Sequence, residues 1–139
     1  MPKEQKIEYS QLETGHEFSP ISYRLDSSTV AIYCQAVGET SSLYQNTELI
    51  PPMAVAAHAL RVLLQSISLP PGTIHVSQEL EFIETVTTKD TITSYAKVSR
   101  KQDRSKLHLL TVDFNVFNRD RKAVLAGKVT LILPEPGEE

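Results

Sequence analysis

Residues 51–67, PPMAVAAHALRVLLQSI, decide the architecture. Pro51 and Pro52 suit a first helical turn, where a backbone N–H has no intrahelical acceptor to lose. From Met53 onward Val55, Ala56, Ala57, Ala59, Leu60, Val62, Leu63, Leu64 and Ile67 leave almost no polar side. A helix apolar nearly all round is predicted to be buried, and something must wrap it. After Pro70-Pro71-Gly72 the period changes to two. In TIHVSQELEFIE (73–84), Ile74, Val76, Leu80 and Phe82 share one face, while Thr73, His75, Ser77, Glu79 and Glu81 share the other, the signature of a half-buried strand. Three further strands are predicted in TITSYAKVSRK (91–101), KLHLLTVDFNVFN (106–118) and AVLAGKVTLIL (123–133). The connections 87–90, 102–105 and 118–121 are short and polar, which makes neighbouring strands antiparallel.

Upstream of the central helix, Asp26-Ser27-Ser28 offers side-chain oxygens as N-caps, Val30, Tyr33 and Val37 fall on one helical face, and Gly38 can end the helix. HEFSPISYRL (16–25) reads as a fifth strand with Pro20 at an edge or bulge. The order strand, helix, buried helix, strands predicts an α+β fold: a curved antiparallel sheet of about five strands around one long helix. The 139 residues suit a single domain with its body at about 7–133 and a short flexible C-terminal tail.

A net charge of −3 and a pI near 5.8 argue against nucleic acid as a partner. The run Arg100–Lys106 contains an acid and reads as a solvated hairpin connection. No apolar stretch approaches a membrane span, and the charged start, MPKEQK, is unlike a signal peptide. With one cysteine, Cys34, read as a small buried hydrophobe, the expectation is a cytoplasmic chain without a disulfide or metal site. His16, His75 and His108 lack metal-ligand spacing and read as rim or surface residues. Tyr9, Tyr23, Tyr33 and Tyr95 read as packing aromatics, and Asp113 and Asn115 as the solvated face of their strand. His58 has two readings: a histidine hydrogen-bonded in the core, or a group facing a ligand tunnel or a partner.

The segments LETGHEFSP (12–20), YCQAVGETSSLY (33–44), PPMAVAAHALRVLL (51–64), PPGTIHVSQELEFIETV (70–86) and LLTVDFNVFNRDRKAVLAGKVTLILP (109–134) follow one another in an order that resembles the MaoC-like hydratase and dehydratase family. The resemblance implies a hotdog fold and a ligand that is an acyl thioester of CoA or acyl carrier protein, with no other cofactor. Active members carry Gly-Asp-x-Asn-Pro-x-His, whose aspartate and histidine handle proton and water in (R)-specific enoyl hydration. Here the same spacing reads Gly38-Glu39-Thr40-Ser41-Ser42-Leu43-Tyr44. Glu39 and Tyr44 take the catalytic positions, and Ser41 and Ser42 stand beside them as substrate-binding positions.

A phenol titrating near 10 holds its proton at neutral pH, so Tyr44 is a poor replacement for a histidine near 6.5. The extra methylene of Glu39 displaces its carboxylate by about an ångström, enough to cost roughly a hundredfold in rate. The resemblance further implies a backbone N–H at the start of the central helix aimed at the thioester oxygen. Neither proline can donate, leaving Met53 and Ala54, with the acyl chain running beside Met53, Ala57 and His58. The segment Gln45–Ile50 is short beside that of active single-domain hydratases. The chain therefore resembles the degenerate half of a pair, a non-catalytic or weakly active subunit that binds an acyl thioester. It is expected as a homodimer alone, or as a heterodimer with an active hotdog chain. The alternatives are an active enoyl-CoA hydratase or an acyl-CoA thioesterase using Glu39.

Overall fold

The computed structural model describes residues 6–44 and 48–134. Among these residues two α-helices, α1 (Ser27–Val37) and α2 (Pro52–Gln65), accompany seven strands: β1 (Ile7–Glu8), β2 (Ile21–Tyr23), β3 (Ile67–Ser68), β4 (Ile74–Phe82), β5 (Ile92–Arg104), β6 (Leu107–Phe117) and β7 (Ala123–Pro134). Five of these form one antiparallel sheet in the order β2-β5-β6-β7-β4. Helix α2 packs against β6 and β7, burying Ala54, Val55, Ala56, Ala59 and Leu63 over Leu110, Val112, Phe114 and Val129. This α+β arrangement is the hotdog fold. No helix among the described residues is long and apolar enough to cross a membrane.

The punctuation residues act as expected. The Asp26 carboxylate accepts the Thr29 N–H at 2.8 Å and caps α1; that bond, with help from Ser28, holds its acidity below the usual carboxylate range. Gly38 ends α1 at φ 72°, a left-handed conformation that glycine adopts without a Cβ penalty. Pro52 opens α2 within its first turn.

Four readings need correction. Helix α2 is not covered all round: Met53, Ala57 and Arg61, spaced four apart, are exposed along one flank, because only one side of the helix meets the sheet. Val37 is exposed too, since α1 lies on the rim with Val30 as its one buried residue. In β4 the register shifts between His75 and Ser77. Leu80 and Phe82 pair with Gly127 and Leu125 on the inner face, but Ile74 pairs with Ile132 on the outer one. The bulge inserts one residue and so exchanges the faces of the two halves.

The run Arg100–Lys106, finally, is mostly strand: β5 continues to Arg104 and only Ser105-Lys106 turns. Lys101 reaches back to the Leu12 carbonyl at 2.7 Å and lies 4.5 Å over the Tyr9 ring. The Tyr9 hydroxyl donates to Asp103 at 2.7 Å, and His108 Nδ1 meets the same carboxylate oxygen at 2.6 Å. These two bonds hold the Asp103 carboxyl below its ordinary range, while burial and the carboxylate keep the Tyr9 phenol protonated. His108 is thus a half-buried partner of Asp103 rather than a free surface group. Alongside, Ile7 and Glu8 pair in parallel with Ile67 and Ser68, and the Ile7 N–H donates to the Ser66 carbonyl at 3.0 Å. Two-residue strands of this kind are too short to leave a periodic trace.

Candidate functional site

The exposed flank of α2 faces α1 across a cleft of about 200 Å³. Leu25, Val30 and Ile32 supply apolar wall, Ala54 and Ala57 form the floor, and Tyr33, His58, Thr29 and Arg61 supply the polar groups. Of the eight positions nominated from sequence, Ala54, Ala57 and His58 line this cleft. Met53 stands exposed at the helix start, outside the cleft lining. Gln45–Thr47, the first half of the connection read as short, lies outside the described residues.

Glu39 and the serines sit on the loop after α1. The Glu39 N–H donates to the Cys34 carbonyl at 2.8 Å, and its carboxylate accepts the Ser41 N–H at 2.9 Å. Ser41 Oγ accepts from the Leu43 N–H at 3.2 Å, and the Ser41 carbonyl from the Tyr44 N–H at 3.2 Å. Glu39, Ser41 and Ser42 are exposed and Tyr44 is half-buried. The loop therefore spends part of its polar capacity on its own turn.

Tyr33, read from sequence as a packing aromatic, connects loop and cleft. It lines the cleft, and its phenol is held above its ordinary value chiefly by burial, with Cys34, Glu39 and Tyr44 adding charge effects. Its place one turn after Val30 on the inward face of α1 was the available signal.

His58 lies with its ring centroid 4.5 Å from that of Tyr23, whose hydroxyl is 2.5 Å from Ser94 Oγ. Burial raises the Tyr23 phenol above its usual value, so Tyr23 stays protonated. Among the described residues no hydrogen bond reaches the His58 imidazole, so it belongs to the cleft rather than to a satisfied core network. Desolvation, with Arg61 beside it, pushes its pKa below 6.5. An unfolded imidazole titrates near 6.5. The unfolded chain therefore takes up this proton first, and stability falls as pH drops through that value. His58→Gln should lose less stability than wild type between about pH 7.5 and 5.5, measured by urea unfolding; equal losses would exclude His58 as the source.

At the start of α2, the Ala54 N–H already donates to the Pro51 carbonyl at 2.9 Å. The Met53 N–H has no partner among the described residues and is left as an unspent donor of the first helical turn. Neither a metal-holding cluster of His, Cys, Asp and Glu nor a carboxylate in the cleft lining is found among the described residues.

A five-stranded sheet over one helix, with a cleft beside the helix start, defines a hotdog protein. The family described as "FAS1-like, dehydratase domain region" matches residues 13–126, and the chain belongs to this MaoC-like family. No curated protein matches the sequence. Similar solved structures include the R-hydratase PhaJ1 from Pseudomonas aeruginosa, with TM-score 0.80 and 19% identity over 94% of this chain and 87% of that one. The (R)-hydratase from A. caviae involved in PHA biosynthesis matches with TM-score 0.76 and 20% identity, over 88% and 98% of the two chains. The HadBC (3R-hydroxyacyl-ACP dehydratase) complex from Mycobacterium tuberculosis matches with TM-score 0.69 and 16% identity, over 86% and 96%. At such identities these matches speak for the fold.

Proposed function

We propose that this chain is an acyl-thioester-binding hotdog subunit with an incomplete dyad of its own, paired with an active hotdog chain that performs hydration or dehydration. One observation carries the reading: among the described residues the cleft beside α2 has no carboxylate in its lining, while Glu39 is exposed and accepts the N–H of its own turn. The position where the family places a histidine is Tyr44, a phenol in place of an imidazole. In the bound state the acyl chain lies along Ala54, Ala57 and His58, and the Met53 N–H meets the thioester oxygen. A cleft of about 200 Å³ suits a short acyl group, being smaller than the ~300 Å³ at which most ligand pockets begin. A second chain would extend it.

The surface for that second chain is β4. Among the described residues it has a single neighbour, β7, and it carries Ile74, Val76 and Phe82 at 59%, 50% and 43% exposure. Relatives in solved structures form two-protein complexes, HadBC among them. Alone, the chain pairs with a second copy of itself.

The test is loss of the enoyl chromophore of crotonyl-CoA and longer trans-2-enoyl-CoA. The isolated chain should turn over about 10²- to 10⁴-fold more slowly than a mixture with the active hotdog chain, the range that positioned acid–base catalysis supplies. Glu39→Gln should leave the mixture's rate within about twofold, since the chemistry lies in the partner. Rapid turnover by the isolated chain, lost in Glu39→Gln, would reverse the assignment and make Glu39 the catalytic carboxylate of a hydratase.

A further inference from the structure

A second cavity is on the other side of the sheet. It is a groove of about 630 Å³ bounded by Thr91, Thr93, Tyr95, Phe117, Arg119 and Arg121, with Asn118 at its base. Thr91, Thr93 and Tyr95 alternate with the inward-facing Ile92 and Ser94, so they stand on the outer face. Tyr95 is 45% exposed and meets Phe117 edge-on, centroids 5.5 Å apart, which leaves an aromatic face open to a ligand.

Both arginines come from the β6–β7 turn, which is rigidly built. Asn118 Oδ1 accepts the N–H of Asp120 at 2.9 Å and of Lys122 at 3.0 Å, and the Arg121 N–H donates to the Asn118 carbonyl at 3.0 Å. Arg121 adopts φ 60°, a left-handed conformation in which glycine or asparagine is the ordinary choice. An arginine held there carries a backbone strain that glycine would avoid. Neither the Arg119 nor the Arg121 guanidinium has a hydrogen bond or ion pair among the described residues. Two unpaired guanidinium groups, an open aromatic face and the Thr91 hydroxyl, beside a Thr93 hydroxyl bonded to Ser22 Oγ at 2.8 Å, together match a phosphorylated planar base.

The groove lies at the same end of the sheet as the start of α2. Thr91 is four residues from Thr87, at most about 14 Å of extended chain. Thr87 bridges Leu49, and the Ile50 N–H donates to the Val86 carbonyl at 2.9 Å, immediately before Pro51. We infer that this groove is a subsite for a phosphorylated purine nucleotide, the handle of a free CoA thioester whose acyl end occupies the cleft beside α2. The inference rests on the acyl-thioester reading above and selects CoA over a carrier protein, whose phosphopantetheine arm brings phosphate but no purine for Tyr95 and Phe117.

Calorimetry on the full chain tests it with adenosine 3′,5′-bisphosphate, inorganic phosphate, crotonyl-CoA and crotonyl-pantetheine. The bisphosphate nucleotide should bind, and crotonyl-CoA should bind at least tenfold more tightly than crotonyl-pantetheine. Arg119→Ala and Tyr95→Ala should each weaken the nucleotide by about tenfold. Arg121→Gly is the decisive variant: it removes the guanidinium and relieves the left-handed backbone, so binding should fall about tenfold while Tm stays level or rises. Equal affinity for the two crotonyl thioesters overturns the subsite, as does inorganic phosphate held as tightly as the nucleotide, or unchanged nucleotide binding in Arg121→Gly. Nucleotide binding without any acyl-pantetheine binding supports the groove and counts against the cleft instead.

Discussion

Gly127→Ala is expected to destabilise the fold by about 2–3 kcal/mol, with a fall in Tm on the order of 10 °C. Gly127 sits in mid-β7 opposite Phe114, and a Cβ built on it would stand 2.6 Å from Phe114 Cε2 and 2.8 Å from Cε1, and nearer still to Cζ. Contacts that short force a neighbour to move. The ring cannot swing into solvent, because Phe114 is buried in the inner layer of the sheet beneath α2. The glycine is therefore required by volume rather than by backbone angle, the reverse of Gly38. Chemical unfolding of Gly127→Ala, Phe114→Leu and the double variant reads the effect. Phe114→Leu alone leaves a small cavity, but combined with Gly127→Ala it opens the space the new methyl needs, so the pair should couple favourably by about 1 kcal/mol or more. Simple additivity of the two single losses would show that the ring and the new methyl do not compete for the same space.

Substituting both Ile74 and Val76 by lysine should convert a dimer into a monomer of 15.5 kDa at micromolar concentration, observed by light scattering on a sizing column. The β4 edge presents unpaired backbone together with apolar side chains. Soluble monomers blunt such edges with lysine, proline or bulges. Here the bulge at Val76 is present, yet Ile74, Val76, Phe82 and the adjoining Ile83 remain exposed along the edge strand, apolar side chains that a second chain can cover. Two charges in that interface would have to be buried without partners, weakening association by at least about a hundredfold. A wild type that runs as a monomer would overturn the self-pairing, and a double-lysine variant that remains dimeric would place the interface elsewhere.

Much of the architecture was readable because its determinants are local. Asp26, Gly38 and Pro52 mark helix ends through side-chain oxygen, αL geometry and the missing N–H, and each acts as its chemistry dictates. The long β5, β6 and β7 strands show their period plainly. What escaped depends on insertions and distant pairing. Ile74, Val76, Leu80 and Phe82 keep the same parity in sequence, and nothing in their identities announces that a bulge separates Ile74 from the last two. The apolar character of α2 hid the uncovered flank because alanine serves equally well in a core and in a cleft floor.

At the candidate site, Ala54, Ala57 and His58 came from the resemblance, which points to the entry of the central helix, and line the cleft, whereas Ser41 and Ser42 came from the same resemblance's loop motif and lie on a solvent-facing turn. Tyr33 looked like an isolated aromatic until folding placed it between the Glu39 loop and the cleft. Arg119 and Arg121 looked like turn residues because their pairing state is a tertiary property.

The contacts that tie Tyr9 to Asp103 and Leu12 to Lys101 join residues 94 and 89 positions apart. Closing so long a loop costs chain entropy before any contact repays it. The β5–β6–β7 meander, whose strands meet through short turns, is expected to assemble first, with the N-terminal segment closing over it late. Interactions formed after the transition state slow unfolding without speeding folding. The tyrosine–aspartate–histidine knot at the far end of the sheet from the candidate site therefore acts as a latch on the native state's lifetime: it sets how long the folded molecule persists rather than how quickly it is made.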